Sequence, residues 1–180
     1  MLAALCGFAY GWEQRLENPP FVITIKGEDP PELKLLRKGR YDEAVRAILD
    51  SIKGEKKDFI KYQSVAVIYG SRAVKDPSNR EKWVEQAALY VDKSVSLAPN
   101  DYMALMGAAL SMDRIGDISS QGCPYYEKAR HDAQDATSQI KSDSVWVGDE
   151  KMPTQPIRDD LGKLLKSLQG KIEAKCMNKP

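Results

Sequence analysis

The residues best suited to chemistry surround the only histidine of the chain. His131 lies beside Asp132 and Asp135 in a polar stretch, and an imidazole next to carboxylates can act as a general base. A catalytic triad also needs a nucleophile in a matching arrangement, and no serine or cysteine has a spacing that suggests one. We expect His131 to be a solvated surface residue and predict no catalytic residues.

Neighbouring carboxylates occur at Asp149-Glu150 and Asp159-Asp160. Adjacent side chains point in different directions on a helix or loop, so neither pair suits shared acid–base work. The phosphate-binding patterns GxGxxG and GxxxxGK[ST] do not occur. The sequence therefore predicts a non-enzymatic protein with no cofactor and no small-molecule substrate.

The cysteines Cys6, Cys123 and Cys176 are far apart and form no CxxC motif. With one histidine in the chain, a Cys/His metal site has almost no ligands, and we predict none. We expect buried or unpaired thiols, because free cysteine commonly behaves as a small hydrophobic residue. A Cys123–Cys176 disulfide in an oxidising compartment stays open as the alternative.

Composition bounds the class of protein. Hydrophobic residues make up 42% and charged residues 29% of the 180 residues, as in folded soluble domains rather than disordered chains. The 27 basic and 26 acidic residues are mixed along the chain and give a net charge of +1. Nucleic acid is excluded as the main partner, because its binders carry a basic surface.

Residues 1–12, MLAALCGFAYGW, are uncharged. As a helix they are shorter than the roughly 20 residues that span a bilayer, and they lack the basic start of a secretory signal. The apolar and aromatic side chains suited to membrane or docking contacts are Leu2, Leu5, Phe8, Tyr10 and Trp12. Three interpretations stay open: the end of a membrane anchor whose start is missing, a peptide docked on a partner, or a signal remnant.

Helical periodicity dominates from Glu32 to about Gln139. Asp101 is the expected N-cap of one helix, which we expect to end at Gly116. A last helix is expected from about Ile157. Its apolar stripe consists of Ile157, Leu161, Leu164, Leu165, Leu168 and Ile172. The predicted fold class is all-α.

One pattern of large, apolar and small residues recurs in these helices. Its members, expected to be the packing skeleton, are Tyr62, Val65, Ala66 and Tyr69, and again Leu105, Ala108, Ala109 and Met112. GRYDEA at 39–44 and SLAPND at 96–101 resemble the turns within and between tetratricopeptide repeats. The chain is thus similar to this family in units at roughly 31–58, 59–101 and 102–141. An unrelated array of helical hairpins is the alternative.

The resemblance implies an α-α superhelix of about three helix pairs, with irregular spacing. Tyr62 and Leu105 are further apart than the family's period of about 34 residues, so the middle unit carries an insertion.

The predicted domains are an anchor or docking arm at 1–30, a repeat domain at 31–141, a loop at 142–156, and a capping helix with a tail at 157–180. Within the arm, residues 20–26 are expected to be extended.

In the family, the concave wall of the superhelix binds peptides or proteins. The resemblance places on this wall Ile60, Gln63, Val67, Met103, Met106 and Leu110. The set is apolar and includes adaptable methionines. It lacks the Lys, Arg and Asn side chains with which the family's best-known sites hold a terminal carboxylate. We expect the wall to be covered either by the last helix or by an external apolar partner.

Three functions follow in order of preference. The first is a protein–protein interaction scaffold, an accessory subunit of a larger, membrane-associated complex that residues 1–25 anchor. The second is a soluble adaptor, cytoplasmic or periplasmic, that binds a transient apolar peptide or helix. The third is a small helical enzyme or cofactor-binding domain. Other protein subunits are the predicted partners, with membrane contact through residues 1–12.

Overall fold

The computed structural model describes residues 31–52, 58–147 and 150–177, which form a helical array with one hairpin. The helices are α1 (Pro31–Arg37), α2 (Tyr41–Ser51), α3 (Phe59–Lys75), α4 (Arg80–Leu97), α5 (Tyr102–Ile118), α6 (Cys123–Gln139) and α7 (Gln155–Ile172). The strands are β1 (Ser144–Val147) and β2 (Glu150–Pro153). This mainly helical architecture confirms the all-α class, and the superhelical arrangement of repeat pairs stays a prediction.

Helices that follow each other in the chain pack in pairs. α1 lies on α2, α3 on α4, and α5 on α6. Neighbouring pairs are joined because α2 contacts α3, and α5 contacts both α3 and α4. α7 packs mainly on α6 and touches α5, so the last helix closes one end of the array.

The residues assigned to helix packing are buried. Val65, Ala66, Leu105, Ala108, Ala109 and Met112 all belong to the hydrophobic core. Tyr62 and Tyr69 are half-buried. Alanines at these crossings let the helix backbones approach closely, which favours dense packing.

Stacked aromatic rings hold α3 against α4. Tyr90 on α4 stacks on Tyr62 and Tyr69 of α3, with ring centroids 6.2 and 5.7 Å apart, and Tyr69 stacks on Trp83 at 6.1 Å. The Arg72 guanidinium lies 3.7 Å from the centroid of Trp83. It also binds Asp42 on α2, with nitrogen and oxygen 2.6 Å apart. Trp83 is a packing residue.

The ends of α5 show one correct and one wrong prediction. Asp101 caps the helix, because its carboxylate accepts hydrogen bonds from the backbone N–H groups of Met103 and Ala104 at 2.8 and 3.2 Å. Gly116 does not end the helix, which continues to Ile118. A Cβ at Gly116 would lie 2.6 Å from the Tyr126 ring, so this glycine serves helix contact rather than termination.

The prediction of a loop at 142–156 is wrong for most of this range, which forms two strands. β1 and β2 pair antiparallel, with Val145 opposite Met152. Thr154 closes the base of this hairpin, since its hydroxyl donates to the Ser142 carbonyl at 2.7 Å and its N–H to the Asp143 carbonyl at 2.9 Å. The last helix then begins at Gln155, slightly before the predicted Ile157.

Several predictions fall outside the described residues. They concern the apolar segment 1–12 with Leu2, Leu5, Phe8, Tyr10 and Trp12, the extended residues 20–26, and Cys6. Within the described part of the chain, no helix is both long and apolar enough to cross a membrane.

Candidate protein-binding face

The residues assigned to the binding wall lie on α3 and α5, two helices in contact. We name the α3–α5 face by its members Ile60, Gln63, Val67, Val74, Met103, Met106 and Leu110. Ile60 is 55% exposed, and Val67, Met103 and Leu110 are half-buried. Val74, 51% exposed, was not predicted. Val74 follows Val67 by seven residues, as Val67 follows Ile60, and this spacing of two helical turns is the signal that indicates its place on the face.

Gln63 joins the two helices of this face. Its Nε2 donates to the Ala104 carbonyl on α5 at 2.9 Å. The side chain lies over Gly107, where a Cβ would come within 2.5 Å of its amide oxygen. Of the six predicted wall residues, Gln63 therefore has a partner inside the chain, and it fixes α3 against α5.

The last helix covers one edge of the face. Met106 packs against the cluster that contains Leu161 of α7, with Leu164 and Leu165 at its border. The α7 stripe is otherwise buried within the chain, through Leu161, Leu168 and Ile172. Ile60 and Val74 stay exposed, so α7 leaves the α3 side of the face open.

Charge is nearly absent from this face. The outward positions of α3 are Ile60, Gln63, Ser64, Val67, Gly70, Ser71 and Val74, by helical spacing and exposure. Of the charged residues within α3, Lys61 and Arg72 point to the other side, towards Asp58 and Asp42. Lys75 is exposed at the last position of the helix, next to Val74, and ends the uncharged surface there. On α5, Met103, Met106, Gly107 and Leu110 continue the uncharged surface as far as Arg114. Such a surface in a chain with 29% charged residues is typical of an interaction site.

A polar cluster fastens the end of α7 to α5 and α6. The Lys171 ammonium lies 2.7 Å from Oδ1 of Asp113 and 2.7 Å from Oδ2 of Asp117. Tyr126 donates its hydroxyl hydrogen to Asp117 at 2.8 Å. Lys175 donates to the Tyr126 hydroxyl at 2.7 Å and approaches Asp117 at 3.3 Å. Residue spacing does not indicate this cluster, because Lys171 and Asp113 are 58 residues apart.

The protonation of these groups follows from burial and pairing. Burial raises the pKa of Asp113, and the bond to Lys171 only partly opposes it. Burial also acts to raise the pKa of Asp117, but hydrogen bonds from Lys171 and Tyr126 outweigh it and lower this pKa. Burial acts to lower the pKa of Lys171, yet its two carboxylate partners raise it. The arrangement is a network of ion pairs and hydrogen bonds that holds α7 to α5 and α6.

A disulfide lies beside this cluster and corrects the prediction of unpaired thiols. Cys123, at the start of α6, is bonded to Cys176, just after α7, with Cα atoms 5.7 Å apart. The pairing depends on where α7 crosses α6, which residue spacing does not reveal. Disulfides persist in oxidising compartments.

His131 is an exposed residue paired to Asp135, with Nδ1 and Oδ2 3.3 Å apart. Its neighbour Asp132 is different, being 4% exposed with one carboxylate oxygen that has no hydrogen-bond partner. Burial raises the pKa of Asp132 to about 6, against the opposing charges of Lys128 and His131. No nucleophile joins these groups among the described contacts.

Metal ligands do not gather in the described residues, where no group of three or more His, Cys, Asp or Glu side chains is placed to hold an ion. Within the described residues, the geometry offers a largely uncharged face formed by two helices. Comparison of the chain with protein-family models, curated proteins and solved structures finds no match in any of the three.

Proposed function

We propose that the chain is a non-enzymatic protein–protein interaction scaffold, an accessory subunit that binds another protein through the α3–α5 face. One observation carries the proposal: Ile60 and Val74 are more than half exposed on a two-helix surface without charge over most of its length. Large apolar side chains in such a patch cost free energy in water, and burial by a partner recovers it. The fitting partner is an apolar helix or protein surface.

The order of packing supports a tetratricopeptide-like arrangement as part of this proposal. α3 with α4, and α5 with α6, form successive pairs whose first helices touch each other. First helices in contact create a shared surface, which is where repeat proteins of this kind bind. Buried alanines at Ala66, Ala87, Ala108 and Ala129 provide the close crossings that such a stack requires.

Membrane association is the part of the proposal that rests on the sequence alone. Residues 1–12 carry no charge and include Phe8, Tyr10 and Trp12, side chains that favour a membrane–water interface. We propose that this segment holds the subunit in a membrane-associated assembly.

Partner capture by variants of the face tests the binding role. Two single variants, Ile60→Glu and Val67→Glu, are purified natively, and the subunits bound to each are quantified by mass spectrometry. Both positions lie on the outer side of α3, so the charge should reduce stoichiometric partners at least tenfold without changing helicity.

Leu89→Glu is the matched control. Leu89 is 44% exposed on α4 and lies outside the face, so its charge should leave partner capture unchanged. Equal partner recovery from all three variants would remove the face as the binding site.

A further inference from the structure

The α3–α5 face and residues 1–12 have matching chemistry. The face is an open surface of α3 and α5 without charge from Ile60 to Val74 and from Met103 to Leu110. The segment MLAALCGFAYGW is an uncharged run of large and small apolar residues. Two uncharged apolar surfaces in one chain favour burial against each other when no other cover is present.

The connection between them is long enough. Residues 13–30 join the segment to α1, and an extended chain covers about 3.3 Å per residue, hence several tens of ångströms. α1 packs on α2, which packs on α3, so the tether starts two helices away from the face. A tethered segment meets its site at a millimolar effective concentration, as an order of magnitude, and weak intrinsic affinity is then sufficient.

The two helices of the face are also held at a fixed separation. The bond from Gln63 to the Ala104 carbonyl and the contact of Gln63 with Gly107 hold α3 and α5 in place. α7 covers only the Met106 edge of the face, because the ion pair of Lys171 with Asp113 and the Cys123–Cys176 bond fasten it to α5 and α6. The open side needs a different segment.

We propose that residues 1–12 of the same chain dock on the α3–α5 face and occupy it until a partner displaces them. This proposal rests on the proposed binding role of that face, for which the segment competes with the partner. A docked segment is not in contact with a membrane, so the proposed membrane contact follows its displacement by the partner. Removal of the segment should therefore increase partner capture several-fold.

Photo-crosslinking in the purified full chain tests the docking without any partner. A photoreactive amino acid replaces Val67, and in a control protein it replaces Leu89. Peptide mapping should show position 67 joined to residues 1–12 of the same molecule, and position 89 not. Mixing isotope-labelled with unlabelled chains separates bonds within one chain from bonds between two copies.

Reciprocal charges provide the second measurement. Phe8→Asp in the segment and Ile60→Glu on the face should each reduce the crosslink at position 67 at least fivefold, whereas Leu89→Glu should not. No crosslink to residues 1–12, or one formed only between two copies, overturns the docking. If the crosslink is absent but Ile60→Glu still loses its bound partner, the binding role of the face is supported without the docking. If the crosslink forms but Ile60→Glu keeps its bound partner, the docking is supported and the binding role is removed.

Discussion

Lys171 on α7 and Asp113 on α5 form an ion pair in which the ammonium lies 2.7 Å from a carboxylate that is 2% exposed. The pair fixes the position of the last helix, because Asp113 is buried on α5 and Lys171 is the cation hydrogen-bonded to it. Asp117, one turn further along α5, is the second carboxylate bonded to Lys171. Apolar side chains of α7 bind along the helix with little preference for register, whereas a buried charge accepts one partner at one place.

Lys171→Met should therefore destabilise the protein by about 2–3 kcal/mol, since it leaves a buried carboxylate without its charged hydrogen-bond donor. Chemical denaturation followed by circular dichroism measures this free energy of unfolding. Lys163→Met is the control on the same helix, because Lys163 pairs with Asp160 at the surface and exposed pairs contribute little. An equal loss in both variants would contradict the role of Asp113.

The Cys123–Cys176 bond should stabilise the fold by about 2–4 kcal/mol, because it closes a separation of 53 residues and restricts the unfolded chain. Thermal unfolding with and without dithiothreitol measures the effect. Cys176→Ala should lower Tm as reduction does and become insensitive to the reductant.

Thiol titration in denaturant provides the independent check. The chain has three cysteines, so one should react before reduction and all three after it. Cys6→Ala should remove the single reactive thiol and leave the response of Tm to reductant unchanged. Three reactive thiols in unreduced, natively purified protein would contradict the disulfide.

Local patterns in the sequence were sufficient to predict the helices and many of the buried core residues. The cap at Asp101 and the buried positions Leu105, Ala108 and Met112 follow from spacing within one helix, which is a property of neighbouring residues. The side of α3 that stays open could also be approached this way, through Ile60 and Val67. The same spacing places Val74 on this side of α3, whereas its exposure of 51% depends on what packs beside it.

Contacts between distant parts of the chain could not be predicted in the same way. Lys171 and Asp113 are 58 residues apart, and their pairing depends on the angle at which α7 crosses α5. The packing of α7 on α6 likewise brings Cys176 to Cys123. Gly116 resembled a helix end because glycine is common there, but its contact with Tyr126 appears only when α5 and α6 are packed together.

Replacing either of two glycines in α5, Gly116 or Gly107, by alanine should lower the stability of the protein by different amounts. In Gly116→Ala the new Cβ meets the Tyr126 ring at 2.6 Å, and that ring is buried and held by Asp117. We expect a loss of about 1–3 kcal/mol from overpacking. In Gly107→Ala the Cβ meets the end of the Gln63 side chain, which can rotate away, so the loss should be smaller.

Gly162→Ala is the control for this comparison. Gly162 lies in α7 with nothing within 4 Å of an added Cβ, and alanine is the better helix former by roughly 0.5–1 kcal/mol. Its Tm should rise. Denaturation of the three variants measures their order, and a Gly116→Ala protein as stable as Gly162→Ala would show that α5 and α6 are not packed closely at Tyr126.

Asp132 should make stability depend on pH in the acidic range. Burial raises its pKa to about 6 from an ordinary value of 3.8, so the folded state holds this proton more tightly than the unfolded state. The free energy of unfolding should therefore fall as pH rises from about 4 through about 6, and the loss should be complete above the folded pKa. Denaturant titrations at several pH values measure this slope.

Asp132→Asn should remove that slope and exceed the wild type in stability above pH 7 by about 1–3 kcal/mol, the usual cost of a buried group without a partner. The charged groups near Asp132 are Lys128 and His131, which favour its ionised form, and Asp92 and Asp135, which oppose it. Asp135→Asn is the matched control, because Asp135 is more exposed than Asp132 and pairs with His131. If the acidic slope persists in Asp132→Asn and disappears in Asp135→Asn, the titration belongs to the His131 pair instead of the buried carboxylate.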